Sequence, residues 1–176
     1  MARVLLVGFM GSGKSSVGRR VAEALGWRFV DFDDVIEARF EMPVAEIFAT
    51  HGERLFREAE TEVAVRLLAE HRVVLASGGG WAAQPGRLDS LPPGTVAIWL
   101  QVGADEALRR ASAERGTRPL LAGVNRLDDA RKLLADRVRF YSSAGWSVDT
   151  ERSSVEDVAA RVLRILAEIE TETDAE

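Results

Sequence analysis

The run Gly8-Phe9-Met10-Gly11-Ser12-Gly13-Lys14-Ser15 follows directly on the apolar stretch Val4-Leu5-Leu6-Val7. No other segment constrains the fold as tightly. A strand that ends in this pattern and re-enters as a helix forms a phosphate-binding loop, whose backbone N–H groups turn inward around an anion. Lys14 supplies a point charge for the outer phosphates, and Ser15 offers a hydroxyl to Mg²⁺. Glycine-rich turns also arise for packing alone, but the full pattern in strand-loop-helix context favours phosphate. Val17, Val21 and Leu25 then recur every four residues while Arg19, Arg20 and Glu23 take other faces. This spacing predicts an amphipathic helix whose N-terminus directs its partial positive charge at the phosphates. Gly11, Ser12, Gly13, Lys14, Ser15 and Ser16 are the candidate nucleotide contacts.

The chain of 176 residues suits a single domain over 1–176, and its 47% hydrophobic content supports one globular core. A net charge of −5 and a pI near 5.2 argue against a nucleic-acid partner, which demands a positive surface. The chain has no cysteine, so disulfides and thiolate metal sites are excluded. The apolar segment after Met1 and Arg3 is too short for a signal peptide, and no apolar run reaches membrane-spanning length. A cytoplasmic monomer is expected. His51 and His71 have no metal-ligand spacing and read as surface or capping residues. The four tryptophans, Trp27, Trp81, Trp99 and Trp146, are scattered as expected for packing.

Five strands alternate with helical patterns: Val4 to Val7, Arg28 to Asp33, Val73 to Ala76, Thr95 to Leu100 and Trp146 to Asp149. Such alternation implies a parallel sheet with helices on both faces. Phe56, Ala59, Val63 and Leu67 stripe a helix from about Glu53 to Glu70. Leu127, Ala130, Leu134, Val138 and Tyr141 stripe a second, and Val155, Val158, Val162 and Ile169 a third. Ser154 and Asp157 fit a capping box at the start of the third. The acidic tail from Glu168 to Glu176 reads as frayed. Between two helical patterns lies Arg115-Gly116-Thr117-Arg118-Pro119-Leu120-Leu121-Ala122-Gly123, whose glycines and cations suit a lid over about 112–124. Arg118 would then deliver positive charge to the transferring phosphate. An ordinary surface loop is the alternative.

Ligands of open parallel sheets bind beyond the carboxyl ends of the strands. The second strand ends Val30-Asp31-Phe32-Asp33, and in an extended chain residues two apart share a face, so Asp31 and Asp33 can both look toward the loop. One can hold a water ligand of the metal; the other can accept a proton from an acceptor hydroxyl. Asp34 is expected to cap the next helix. Gly78-Gly79-Gly80 at the third strand's end permits close backbone approach to a ligand, or is simply a flexible turn. No aspartate stands where a Walker B strand would carry one, which leaves metal duty to Ser15 and Asp31. Arg57 and Arg137 border apolar stripes, where arginines either clamp a carboxylate or phosphate or stay on the surface. The residues thus describe a small P-loop kinase whose acceptor bears a hydroxyl and a negative charge. A substrate-binding segment would span about 31–61.

These motifs, in this order, resemble the shikimate kinases. The likeness runs from about Val4 to Val162 and rests on Gly8 to Ser16, Asp31-Phe32-Asp33, Gly52-Glu53 with Phe56-Arg57, Gly78-Gly79-Gly80, Arg118-Pro119-Leu120-Leu121, and Arg137 with Tyr141. The resemblance implies a three-layer α/β fold of the P-loop NTPase class, nucleoside-monophosphate-kinase-like, with sheet order 2-3-1-4-5. It implies transfer of the ATP γ-phosphoryl group to the 3-hydroxyl of shikimate, on the route to chorismate and the aromatic amino acids. Asp33, Arg57, Gly79 and Arg137 would bind shikimate, the arginines holding its carboxylate. Ser15 would bind Mg²⁺, with Asp31 acting through water. Lys14 and Arg118 would balance phosphate charge, Arg118 from the lid, while Arg110 and Arg152 would lie beside the adenine and ribose. Glu151-Arg152-Ser153 fits the family's adenine loop only loosely. His51 stands where relatives often carry aspartate, and Trp81 where a small residue is common. Two other readings stay open: a gluconate or nucleotide kinase of the same fold, and a nucleotide-dependent regulatory module.

Overall fold

In the computed structural model, which describes residues 1–113 and 126–173, the elements run β1 (Arg3–Val7), α1 (Lys14–Leu25), β2 (Arg28–Asp31), α2 (Phe32–Phe40), α3 (Val44–Leu67), β3 (Val73–Ala76), α4 (Gly79–Ala82), β4 (Thr95–Gln101), α5 (Ala104–Ala113), α6 (Arg126–Tyr141), β5 (Trp146–Asp149) and α7 (Val155–Thr173). The strands form one parallel sheet of order β2-β3-β1-β4-β5, as expected from the resemblance. β1 lies at its centre, with Leu5 level with Leu75 and Ala97 on either side. All five of its residues are buried, as a parallel strand covered on both faces requires.

Alternation along β1 builds two cores. Val4 and Leu6 point to the face covered by α1 and α7, where Val17, Val21, Val158, Val162 and Leu166 meet them. Leu5 and Val7 point the other way, to Phe32 and Ile36 of α2, Phe56 and Val63 of α3 and Tyr141 of α6. Each wholly buried side chain of this kind contributes about 1.5–3 kcal/mol. The expected stripe of Phe56, Ala59, Val63 and Leu67 is buried throughout. The capping box forms too: the Ser154 hydroxyl donates to Asp157 Oδ2 at 2.7 Å, and Asp157 N donates back to Ser154 Oγ at 3.1 Å.

The structure departs from expectation at five places. β2 stops at Asp31, because the Asp31 side chain accepts the Asp33 N–H at 3.0 Å and starts α2 there. Asp34 is therefore not the cap; it stands in the first turn and pairs with Arg19 at 3.4 Å. α3 begins at Val44, whose N–H is taken by Glu37 Oε1 at 2.8 Å, and Gly52 interrupts it with φ 82 and ψ 167. Val138 is 37% exposed, since Arg137 and Tyr141 occupy the inward edge of α6. Finally, α7 stays helical through Thr173, where a frayed tail was expected from Glu168. No described helix is long and apolar enough to cross a membrane.

Candidate active site

β1, β2 and β3 are adjacent and parallel, so their carboxyl ends bring the glycine-rich loop, Asp31 and the Ser77-Gly78-Gly79 turn to one edge. A single cleft there is lined by Lys14, Ser15, Ser16, Asp31, Asp33 and Gly79, together with Gly11 and Gly13. The loop conformation needs its glycines. Gly11 has φ 68, and a Cβ on it would lie 2.5 Å from the Ala107 carbonyl oxygen of α5. Gly13, with φ 86, precedes the first residue of α1, so the helix N-terminus opens into the loop. Ser12 is buried and its N–H donates to the Phe9 carbonyl at 3.3 Å. The Lys14 ammonium donates to the Gly8 and Phe9 carbonyls, both at 2.9 Å.

Ser15 Oγ donates to Asp31 Oδ2 at 2.5 Å. The other Asp31 oxygen caps α2, so the carboxylate is held from both sides. A hydroxyl and a carboxylate are hard oxygen donors that fit Mg²⁺, which takes one or two protein ligands and completes its shell from water and phosphate. Among the described residues no cluster of three or more His, Cys, Asp or Glu side chains could hold a metal without phosphate. His51 tilts against Phe40 at 5.7 Å, and His71 is exposed.

Asp33 reaches the cleft from the first turn of α2, not from the strand as anticipated. A Cβ on Gly78 would lie 3.4 Å from Asp33 Oδ1 and in collision with Glu60 Oε1. One on Gly79 would lie 3.4 Å from Arg137 Nη1. One on Gly80 would collide with the Arg57 guanidinium. The triplet is not a flexible turn: Gly79 and Gly80 open α4, and the missing side chains leave room for two carboxylates and two guanidiniums. Arg57 and Arg137 thus converge on consecutive residues. Trp81 follows with its ring edge-on to Phe32 at 5.5 Å and beneath Arg87 at 5.6 Å. It is 2% exposed and part of the core rather than a pocket rim.

Glu60 and Thr61, three and four residues on from Arg57, stand where a helix lets them hold it, and Glu60 does so from inside the site. It accepts from Arg57 Nη1 at 2.5 Å, with its side chain 1% exposed. Burial pushes its carboxyl above the ordinary value, and the Arg57 guanidinium only partly offsets that. Its spacing of three from Arg57 on a helix was the available signal. Glu53 holds the other edge of Arg57 at 3.1 Å.

Replacing Gly80 by alanine is expected to displace Arg57 without disturbing the fold, since Gly80 needs no left-handed backbone and alanine favours a helix. Acceptor KM should rise by roughly tenfold to a hundredfold, and the melting temperature should fall at neutral pH because the buried Glu60 loses its partner. Steady-state kinetics and a thermal melt check both.

Tyr141 is wholly buried, and its hydroxyl donates to the Gly79 carbonyl at 2.7 Å. Burial pushes that hydroxyl from 10.0 up to about 12. Between those values the unfolded chain releases the proton that the native state keeps. The native state then binds more protons, so stability falls as pH rises through this window. Tyr141 is the only tyrosine of the chain, so phenolate absorbance follows it alone. The expected titration lies near pH 12 or coincides with unfolding; a folded protein titrating near pH 10 would contradict the burial argument.

On the other side of the loop, Arg110 donates to Glu106 Oε1 at 2.6 Å, to the Gly11 carbonyl at 3.3 Å and to the Thr150 carbonyl at 2.8 Å. It ties α5 to the phosphate loop and to the turn after β5. Arg152 sits in that turn, exposed, with φ 53. Arg118 and most of the expected lid over 112–124 lie outside the described residues.

A shikimate kinase family model matches residues 10–167. The shikimate kinase of Mycobacterium avium (strain 104) is 47% identical over 151 residues, 85% of each chain. That of Moorella thermoacetica (strain ATCC 39073 / JCM 9320) is 40% identical over 163 residues, 93% of each chain. Among solved structures, the shikimate kinase from Acinetobacter baumannii in complex with shikimate superposes with a TM-score of 0.88 at 32% identity, covering 96% of this chain and 94% of the other. With the model match spanning most of its length, this chain belongs to the shikimate kinase family.

Proposed function

We propose that the chain transfers the γ-phosphoryl group of ATP to the 3-hydroxyl of shikimate, giving shikimate 3-phosphate and ADP for aromatic amino-acid synthesis. The observation that carries this reading is the convergence at the glycine triplet. Asp33, Arg57 and Arg137 meet there, at the edge of the cleft that holds Lys14. A small acid with a ring hydroxyl fits that charge pattern.

Phosphoryl transfer asks little covalent chemistry of a protein, so rate comes from alignment and charge neutralisation. Lys14 and the Ser12 N–H, now bonded to loop carbonyls, would exchange them for phosphate oxygens, with the N–H groups of Gly11, Gly13, Ser15 and Ser16 around the phosphates. Bound Mg²⁺, held by Ser15 and through water by Asp31, would supply charge to the same oxygens. Arg57 and Arg137 hold the acceptor carboxylate in bidentate fashion, and Gly79 lets the ring approach the backbone. Asp33 accepts the hydroxyl proton as the oxygen meets the phosphorus. Arg110 and Arg152 flank the base and ribose, and Arg118 is the lid arginine. We assign 1–176 to one P-loop domain, with the acceptor segment at about 31–61 and the lid at about 112–124. A cytoplasmic monomer goes with this reading, and the acidic net charge argues against a nucleic-acid partner.

An ADP-release assay with Mg²⁺ and ATP against shikimate, quinate, gluconate and nucleoside monophosphates tests the reading. Turnover should require shikimate. Preference for gluconate or a nucleotide would move the chain to another acceptor, and acceptor-independent binding without turnover would make it a regulatory module.

A further inference from the structure

One polar contact of the acceptor side has no place in the mechanism above: the hydrogen bond from the Tyr141 hydroxyl to the Gly79 carbonyl, made across 62 positions of sequence at 2.7 Å. Arg137 and Tyr141 stand one turn apart on α6, and the Arg137 guanidinium interacts with the same hydroxyl. A Cβ on Gly79 would lie 3.4 Å from Tyr141 Oη, 3.4 Å from Arg137 Nη1 and 3.3 Å from the Gly8 carbonyl oxygen. Three elements therefore meet at this glycine: the phosphate loop, α6 and the entry to α4.

The Gly79 carbonyl and the Gly80 N–H belong to one planar trans peptide. Anchoring the carbonyl on Tyr141 sets the direction of that N–H and the entry angle of α4, and Gly80 is the residue that packs against Arg57. A single hydroxyl thereby touches the placement of both guanidiniums. The Tyr141 ring is held in turn, tilted at 41° against Trp99 of β4 with centroids 6.0 Å apart.

Resting on the shikimate-phosphorylating reading, we propose that Tyr141 is a positioning residue of the acceptor site, its hydroxyl locking the Gly79–Gly80 peptide and the Arg137 guanidinium in the geometry that receives the carboxylate. It takes no part in proton transfer, because its proton is committed to the Gly79 carbonyl. Its effect falls on acceptor binding and leaves the nucleotide side alone.

Tyr141→Phe removes the hydroxyl and keeps the ring. Acceptor KM is expected to rise about tenfold, with kcat and the KM for ATP within about twofold of wild type. In an Arg137→Ala background the same substitution should raise acceptor KM by clearly less than in the wild type, because one of the two guanidiniums it positions is gone. An unchanged acceptor KM in Tyr141→Phe, a parallel rise of both KM values, or full additivity with Arg137→Ala would each overturn the proposal. A second measurement does not need the variant. Since the chain has one tyrosine, growth on 3-fluorotyrosine labels this position alone. Its ¹⁹F resonance should shift on titration with shikimate and stay put with ADP; a resonance indifferent to shikimate contradicts the proposal. Wild-type turnover of shikimate is measured alongside, so a failure of the functional reading shows itself separately from a failure of this one.

Discussion

Asp33→Asn is expected to lower kcat by about 10²- to 10⁴-fold while the KM for ATP stays near wild type. The amide keeps the shape of the carboxylate but cannot take the acceptor proton. Asp33 stands in the first turn of α2 beside Gly78, on the edge of the cleft that also holds Lys14, so the loss falls on the chemical step. On the proposed reading, nucleotide binding rests on the loop backbone, Lys14 and Ser15, which the substitution leaves in place. Single-turnover kinetics with saturating ATP and shikimate separate the chemical step from binding. A variant that turns over at near the wild-type rate would take Asp33 out of the reaction.

The second large effect is expected from Arg57→Ala, which should weaken shikimate binding by roughly 2–4 kcal/mol, about 30-fold to 10³-fold. That loss is the missing partner of the acceptor carboxylate. Glu60 is also left buried with its Arg57 hydrogen bond gone, in the free and the bound state alike, so that cost falls on stability. Burial already raises the Glu60 carboxyl, and without the guanidinium that shift must grow. An acid raised in the native state holds a proton that the unfolded chain releases. The variant should therefore gain stability as pH falls through the native value toward 4.5, and lose it as pH rises through the same range. Isothermal titration with shikimate checks the affinity, and melts across pH 4–8 check the sign. Unchanged affinity would remove the clamp; a pH-independent melt would show that Glu60 is not the buried charge described here.

Much of this molecule was legible before its structure. The phosphate loop was readable because its chemistry is local: consecutive glycines, a lysine and a hydroxyl between an apolar strand and an amphipathic helix. The central strands β1 and β3 were readable because burial on both faces leaves runs such as Val4 to Val7 with no polar interruption. Errors fell where two local solutions compete. Asp31 and Asp34 are equally good caps by composition, and the choice fell to Asp31 because the pairing of β2 with β3 ends at Asp31 and Ala76. In α6 an apolar stripe extended through Val138, yet the cleft draws Arg137 inward and turns Val138 to solvent.

From composition and order alone follow the nucleotide chemistry, the parallel sheet and the family, because each depends on neighbours a few residues apart along the chain. The burial of Glu60, the approach of Arg57 and Arg137 to consecutive glycines and the bond from Tyr141 to Gly79 were decided only by the tertiary structure. These contacts join α3, α4 and α6, and the distance between helices is set by how the core packs rather than by any local pattern. A carboxylate gains or loses its proton, and a glycine becomes indispensable, according to what that packing brings against it.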